Sequence, residues 1–147
     1  MKGVVLAGGK GTRLRPLTFT GAKQLVPIAN KPVIFYAIED LVEAGITDIG
    51  VVVPADFPMA RDQIMAALGD GSAFGARITY IPQDAPRGLA HAVSICREFV
   101  GDEKFVVYLG DNFIREGIVP QVRAFRDGSM NAMLLLYRVP NPEGLGI

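Results

Sequence analysis

Five runs of Val, Ile, Leu and aromatic residues constrain this chain most: Lys2 to Ala7, Ile49 to Val53, Arg77 to Pro82, Lys104 to Leu109 and Asn131 to Val139. They are continuous rather than alternating, and a strand that is apolar at successive positions must be covered on both faces. Between the runs the spacing turns helical. In Pro32 to Ala44, residues Val33, Ile34, Ala37, Ile38, Leu41 and Val42 follow i, i+3, i+4 steps, with Pro32 at the first turn and Gly45 as a stop. Pro58 to Leu68, Gly88 to Val100 and Gly117 to Phe125 are the other candidate helices. Alternation of this kind predicts an α/β domain: a Rossmann-like, doubly wound, mainly parallel sheet with right-handed crossovers and helices on both faces.

The polar punctuation falls at the carboxyl ends of three strands. Gly8-Gly9-Lys10-Gly11-Thr12-Arg13 follows the first, Gln83 to Gly88 the third and Gly110-Asp111-Asn112 the fourth. In open α/β sheets that rim binds ligands, at the crevice where strand order reverses. With an assumed order of 3-2-1-4, the glycine loop and Asp111 face each other across the reversal. The stretch from Gly8 to Lys31 has little regular patterning, and structureless loops of that length in a compact domain are usually functional or disordered. Its apolar and proline content argues for function.

Glycines at 8, 9 and 11 let backbone N–H groups converge on an anion, and Lys10, Thr12, Arg13 and Arg15 surround them with donors. That pattern predicts a phosphate site; a tight turn is the competing reading of an isolated Gly-Gly. It is not a Walker A loop, because Gly9-Lys10 is followed by Gly11, and not a dinucleotide fingerprint, because Leu14 stands where the third glycine is needed. Charge supports a small-molecule site over a polymer site. Fifteen Lys and Arg balance fifteen Asp and Glu, leaving no net field to hold nucleic acid or an anionic membrane. The apolar runs fall far short of the ~20 residues of a membrane helix. The first residues do not read as a signal peptide, so a cytoplasmic location is expected. One cysteine and one histidine leave no pair for a disulfide or a two-histidine metal site. His91 and Cys96 read as packed or capping residues with no chemical role.

Leu6-Ala7-Gly8-Gly9-Lys10-Gly11-Thr12-Arg13-Leu14-Arg15-Pro16-Leu17-Thr18, followed by Ala22-Lys23-Gln24-Leu25-Val26-Pro27-Ile28-Ala29-Asn30-Lys31-Pro32, resembles the signature of the sugar-1-phosphate nucleotidylyltransferases. Lys23-Gln24-Leu25 and Leu109-Gly110-Asp111-Asn112 are most similar to the thymidylyl-transferring branch, whose acceptor is glucose 1-phosphate. The resemblance runs from Lys2 to Ile147. It implies attack of a hexose 1-phosphate oxygen on the α-phosphorus of dTTP, with pyrophosphate leaving. The arginine of the glycine loop (Arg13) would steady the triphosphate and leaving pyrophosphate, and the lysine (Lys23) would bridge sugar phosphate and α-phosphate. Leu6, Ala7, Gly8, Gly9, Gly11, Thr12 and Gln24 would complete the nucleotide cradle.

Asp111 is the metal candidate. Mg²⁺ takes one or two protein carboxylates together with waters and substrate phosphates; a turn cap is the plainer reading of Gly110-Asp111-Asn112. Gln83-Asp84-Ala85-Pro86-Arg87-Gly88-Leu89-Ala90-His91-Ala92 resembles the family's base-recognition loop. The Gln83 amide offers a donor and an acceptor to the O4 and N3–H edge of thymine or uracil, and Gly88 lets backbone approach the base. Asn141 to Ile147 resembles the stretch whose glycine, here Gly146, approaches the sugar, although Gly144 and Leu145 replace its Arg and aromatic residue. The family continues into a Glu-Lys-Pro segment and a second metal aspartate. Residues 1–147 are therefore expected to be the nucleotide-binding part of a larger transferase domain, without the sugar-binding part, and homo-oligomers are common among relatives. Two other functions fit the same residues: a non-catalytic nucleotide or nucleotide-sugar binding module, and a uridylyltransferase using UTP.

Overall fold

The computed structural model describes residues 1–9, 11–19, 21–140 and 143, with Arg13 described by its backbone alone. Its elements in chain order are β1 (Lys2–Leu6), β2 (Pro27–Ile28), β3 (Lys31–Pro32), α1 (Val33–Glu43), β4 (Asp48–Pro54), α2 (Pro58–Leu68), β5 (Arg77–Gln83), α3 (Leu89–Ser94), α4 (Arg97–Val100), β6 (Phe105–Leu109) and α5 (Val119–Asp127). Strands β5-β4-β1-β6 form a four-stranded sheet, every neighbour parallel. This is the 3-2-1-4 order of the long strands. The chain reverses direction across the sheet between β1 and β6, so the loops leaving their carboxyl ends face one crevice.

The continuous apolar runs are explained by two cores. Val5, Val51 and Val53 point to one face, where Ile34, Ile38 and Leu41 of α1, Ile64 of α2 and Val122 of α5 cover them. Val4, Leu6 and Val52 point to the other, against Ala92 of α3, Cys96 between the two short helices, and Val100 of α4. Ile34, Ile38 and Leu41 are fully buried, each worth about 1.5–3 kcal/mol of apolar transfer. Helix α1 stops where the sequence predicts. Gly45, at φ 78°, lets its own N–H reach Val42 O and the Ile46 N–H reach Leu41 O, the paired closure of a Schellman end.

Two expectations are corrected. The helix expected over Gly88 to Val100 is two short ones, because the Cys96 N–H closes on Val93 O three residues back and the Cys96 thiol takes Ala92 O; the α ladder is interrupted there. The run Asn131 to Val139 is not a strand. Its Leu134, Leu136 and Tyr137 are 81–89% exposed. Apolar β-propensity makes a strand only beside a neighbour offering free N–H and C=O groups, and this run has no ladder partner among the described residues. No helix among the described residues is long and apolar enough to cross a membrane.

Candidate active site

The described residues between Gly8 and Lys31 are held by contacts within the stretch and to α2. Two 3-10 turns, Thr12–Leu14 and Lys23–Leu25, punctuate it, and the β2–β3 ribbon leads into α1. The Thr18 hydroxyl donates to Gly11 O at 2.6 Å, and the Ala22 N–H to Gln63 Oε1 at 3.0 Å. These bonds fold the loop back over the end of β1, bringing Lys23 and Gln24 under the glycines.

Each of the three glycines leaves room for a side chain of the site. A Cβ on Gly8 would lie 2.4 Å from Gln83 Oε1, and one on Gly9 would lie 2.9 Å from Lys23 Cε. A Cβ on Gly11 would lie 2.8 Å from Lys23 Cβ and 3.1 Å from Thr18 Cγ2, at a φ of 64° that itself favours glycine. The loop is thus closed on the lysine stem and on the glutamine amide, and a side chain at 8 or 9 would oblige Gln83 or Lys23 to shift. Sequence reasoning gave these glycines to backbone–phosphate contacts; their visible work is to admit Lys23 and Gln83.

Lys23 and Asp111 meet head to head. Lys23 Nζ donates to Asp111 Oδ2, joining the loop after β1 to the loop after β6 across the crevice. The pair is partly open to solvent, with side-chain exposures of 22% and 36%. An ammonium has three donors, so two remain for a ligand once Asp111 has taken one. Gln24 is 1% exposed; its Nε2 donates to Ala7 O at 2.9 Å, while its Oε1 has no partner among the described residues. An orphaned buried acceptor costs about 1–3 kcal/mol, which a ligand hydroxyl or a water at this position would recover.

Between these groups lies a cleft of about 280 Å³, close to the lower bound of ~300 Å³ for small-molecule sites. Gly8, Gly9, Lys23, Asp111, Gln83 and Gly88 line it together with Leu6 and Gln24, and the Gln83 amide oxygen packs directly against Gly8. Ala7, 1% exposed, serves instead as the carbonyl that anchors Gln24. Thr12 is exposed in its 3-10 turn. The side chain of Arg13, together with Lys10 and Gly146, lies outside the described residues. Sequence reasoning missed the apolar wall of Pro86, Leu89, Ala92 and Leu109, although Leu89 and Ala92, one helical turn apart after Gly88, carried the signal.

Behind the metal candidate, the Tyr108 hydroxyl donates to Asp40 Oδ2 at 2.7 Å and ties the end of β6 to α1. Burial pushes the Asp40 carboxyl above its ordinary value, partly offset by the bond from Tyr108; burial first, then the Asp40 bond and charge, raise the Tyr108 hydroxyl. Asp111 is a hard oxygen donor opening on the cleft, and no cluster of three His, Cys, Asp or Glu side chains exists among the described residues. Asp111 already holds the Lys23 ammonium on one oxygen, and a single protein carboxylate with its other oxygen available fits a Mg²⁺ that arrives with ligand oxygens and waters rather than a preformed cage.

A model of the nucleotidyl transferase family matches residues 2–147. The chain belongs to that family. It is 55% identical over its full length to the low-salt glycan biosynthesis nucleotidyltransferase Agl11 of Haloferax volcanii, covering 40% of that protein. It is 54% identical to a glucose-1-phosphate thymidylyltransferase of Streptomyces griseus, again over its full length and 40% of the relative. Among solved structures, a glucose-1-phosphate thymidylyltransferase from Bacillus anthracis in complex with sucrose superposes with a TM-score of 0.82 at 38% identity, over 88% of this chain and 51% of that one. A UDP-glucose pyrophosphorylase complexed with UDP-glucose gives 0.67 at 26% identity, over 86% and 53%. This family member spans about half the length of the relatives it matches, or somewhat less.

Proposed function

We propose that these residues are the nucleotide-binding part of an enzyme that transfers a thymidylyl group from dTTP to glucose 1-phosphate, giving dTDP-glucose and pyrophosphate. The observation that carries this reading is the shared cleft, lined by an amide suited to a pyrimidine edge, by an ammonium and a carboxylate suited to phosphates and a cation, and by the glycine loop that touches both. A sugar phosphate oxygen attacks the α-phosphorus, the bond from that phosphorus to the bridging oxygen breaks, and pyrophosphate carries the electron pair away. The nucleophile is already ionised, so no general base is needed. The task is to bring two anions together, and preorganised cations are how proteins do it.

Lys23 supplies the positive charge between the two phosphates. Asp111, by holding one of its protons, fixes where the ammonium sits. Arg13 serves the leaving pyrophosphate, Gly8, Gly9, Gly11 and Thr12 the triphosphate, Gln83 and Gly88 the base, and Gly146 the sugar. Asp111 would hold Mg²⁺, which when bound neutralises phosphate charge. The enzyme is read as cytoplasmic and homo-oligomeric. UTP is the second nucleotide reading, favoured by the likeness to the UDP-glucose pyrophosphorylase.

The test is pyrophosphate release from dTTP, glucose 1-phosphate and Mg²⁺, with Lys23→Met as the diagnostic variant. Loss of one electrostatic donor of this kind costs ~3 kcal/mol in the transition state, about a hundredfold in rate. A partly exposed ion pair contributes only ~0–1 kcal/mol to folding, so the variant should stay folded. A Lys23→Met protein with near wild-type turnover would overturn the assignment. Tight dTTP binding with no turnover in the unsubstituted chain would favour a binding module instead.

A further inference from the structure

The base-reading amide has an internal partner. Gln83 Nε2 lies 3.2 Å from His91 Nδ1, and an amide nitrogen can only donate. In this arrangement His91 Nδ1 accepts and the imidazole proton sits on Nε2. The surroundings agree: His91 Nε2 faces Asp84 Oδ1 at 3.8 Å, and a carboxylate on that side favours the Nε2–H tautomer. Asp84 is held by Arg87, whose Nη2 donates to Oδ2 at 2.6 Å, and by the Ala85 N–H at 2.9 Å on Oδ1. On its other side Gln83 has no slack. It is 6% exposed, and its Oε1 occupies the space above Gly8 that a Cβ would fill.

We propose that His91 is a positioning residue for base selection: by accepting from Gln83 Nε2 it fixes which end of the amide is donor and which is acceptor. This rests on the reading that Gln83 faces a pyrimidine. With one N–H spent on His91, Gln83 presents its Oε1 and its remaining N–H, a matched pair for the N3–H and O4 of thymine or uracil. The opposite orientation would present the reverse order, which matches N3 and the N4 amino group of cytosine. An isolated glutamine can rotate to satisfy either base, and so discriminates neither. The histidine removes that freedom. With the proton favoured on Nε2 by the Asp84 carboxylate, the Nδ1 lone pair rewards one orientation and would face the amide oxygen in the other.

The experiment is calorimetric binding of dTTP and of dCTP, each with Mg²⁺, to the wild-type chain, to His91→Leu, which removes the acceptor, and to His91→Asn, whose own amide can turn either to accept from Gln83 or to donate to it. The expected result is a wild-type preference for dTTP that falls about tenfold or more in His91→Leu, within what a bidentate base contact is worth. The fall should come with a gain in dCTP affinity, and His91→Asn, which keeps a hydrogen bond but not its direction, should lose the preference as well. A purely structural role would weaken both nucleotides together and leave their ratio unchanged. If His91→Leu and His91→Asn both keep the wild-type ratio, the inference is overturned and the pyrimidine reading of Gln83 stands. If the wild-type chain does not distinguish dTTP from dCTP, the reading of Gln83 itself is overturned, and the inference with it.

Discussion

Gly8→Ala isolates the contact between the glycine loop and the base-reading amide. The Gly8 φ is not in the left-handed region, so alanine fits the backbone and the cost is steric alone. Its Cβ would stand 2.4 Å from Gln83 Oε1, where ordinary contacts begin at 3.4 Å; the amide must retreat by about 1 Å. Gln83 is buried beside His91, so the retreat breaks the Nε2 to Nδ1 bond, worth ~0.5–1.5 kcal/mol, and compresses the wall behind it. Overpacking of this kind costs ~1–3 kcal/mol in total. In a Gln83→Ala background the obstructing oxygen is gone and the same glycine substitution should be nearly neutral. Urea unfolding of the wild type, both single variants and the double variant, followed by circular dichroism, gives the coupling directly. The expected value is at least ~1 kcal/mol of non-additivity; effects that add within ~0.5 kcal/mol would refute the contact. Gly8→Ala should also weaken dTTP binding, since the amide that would read the base has moved.

Two further perturbations test groups that burial shifts on the two faces of the sheet. Burial raises the Asp40 carboxyl above the 3.8 of an ordinary aspartate, so the folded state holds its proton more tightly than the unfolded one. Its contribution to stability is present in full below that ordinary value and is lost as pH rises through the folded value. Asp40→Asn, whose Oδ1 can still accept from Tyr108, should therefore gain on the wild type as pH rises from 3 to 7, with thermal midpoints across that range as the measurement; an advantage that shrinks as pH rises would contradict the assigned direction. Cys96 is fully buried, and burial pushes its thiol up to about 11. Iodoacetamide at pH 8 should label it only on unfolding, and rapid labelling of the folded chain by mass spectrometry would show that the α3–α4 face opens.

The fold was legible because it rests on local periodicity. Continuous apolar strands demanded cover on both faces, and Val4, Val5, Leu6, Val51, Val52 and Val53 receive it from opposite sides. The helix break at Ile95 and Cys96 was not legible, because it depends on a thiol and an amide competing for neighbouring carbonyls, which spacing does not reveal. The missing strand at Asn131 to Val139 failed for a different reason. A run of residues records its propensity but not the presence of a neighbour, and pairing is a property of two segments.

The site divides along the same line. Lys23 and Asp111 were readable one at a time from motif residues, yet their direct bond required the sheet order that sets β6 beside β1. His91 was the residue sequence reasoning set aside, since a lone histidine on a helix is most often packing. What gives it weight is relational: Nδ1 faces an amide that can only donate, and Nε2 faces a carboxylate. The glycines carry the same lesson from the other side. A Gly-Gly after a strand invites a phosphate reading, but the distances from their absent Cβ atoms to Gln83 and Lys23 show an earlier requirement. The loop must first close over its own catalytic and base-reading candidates, and glycines at 8, 9 and 11 let it come that near without displacing them. Substitution at these positions should therefore disturb the geometry of Gln83 and Lys23 before any nucleotide is added, which separates a built cleft from a loop that merely wraps a phosphate.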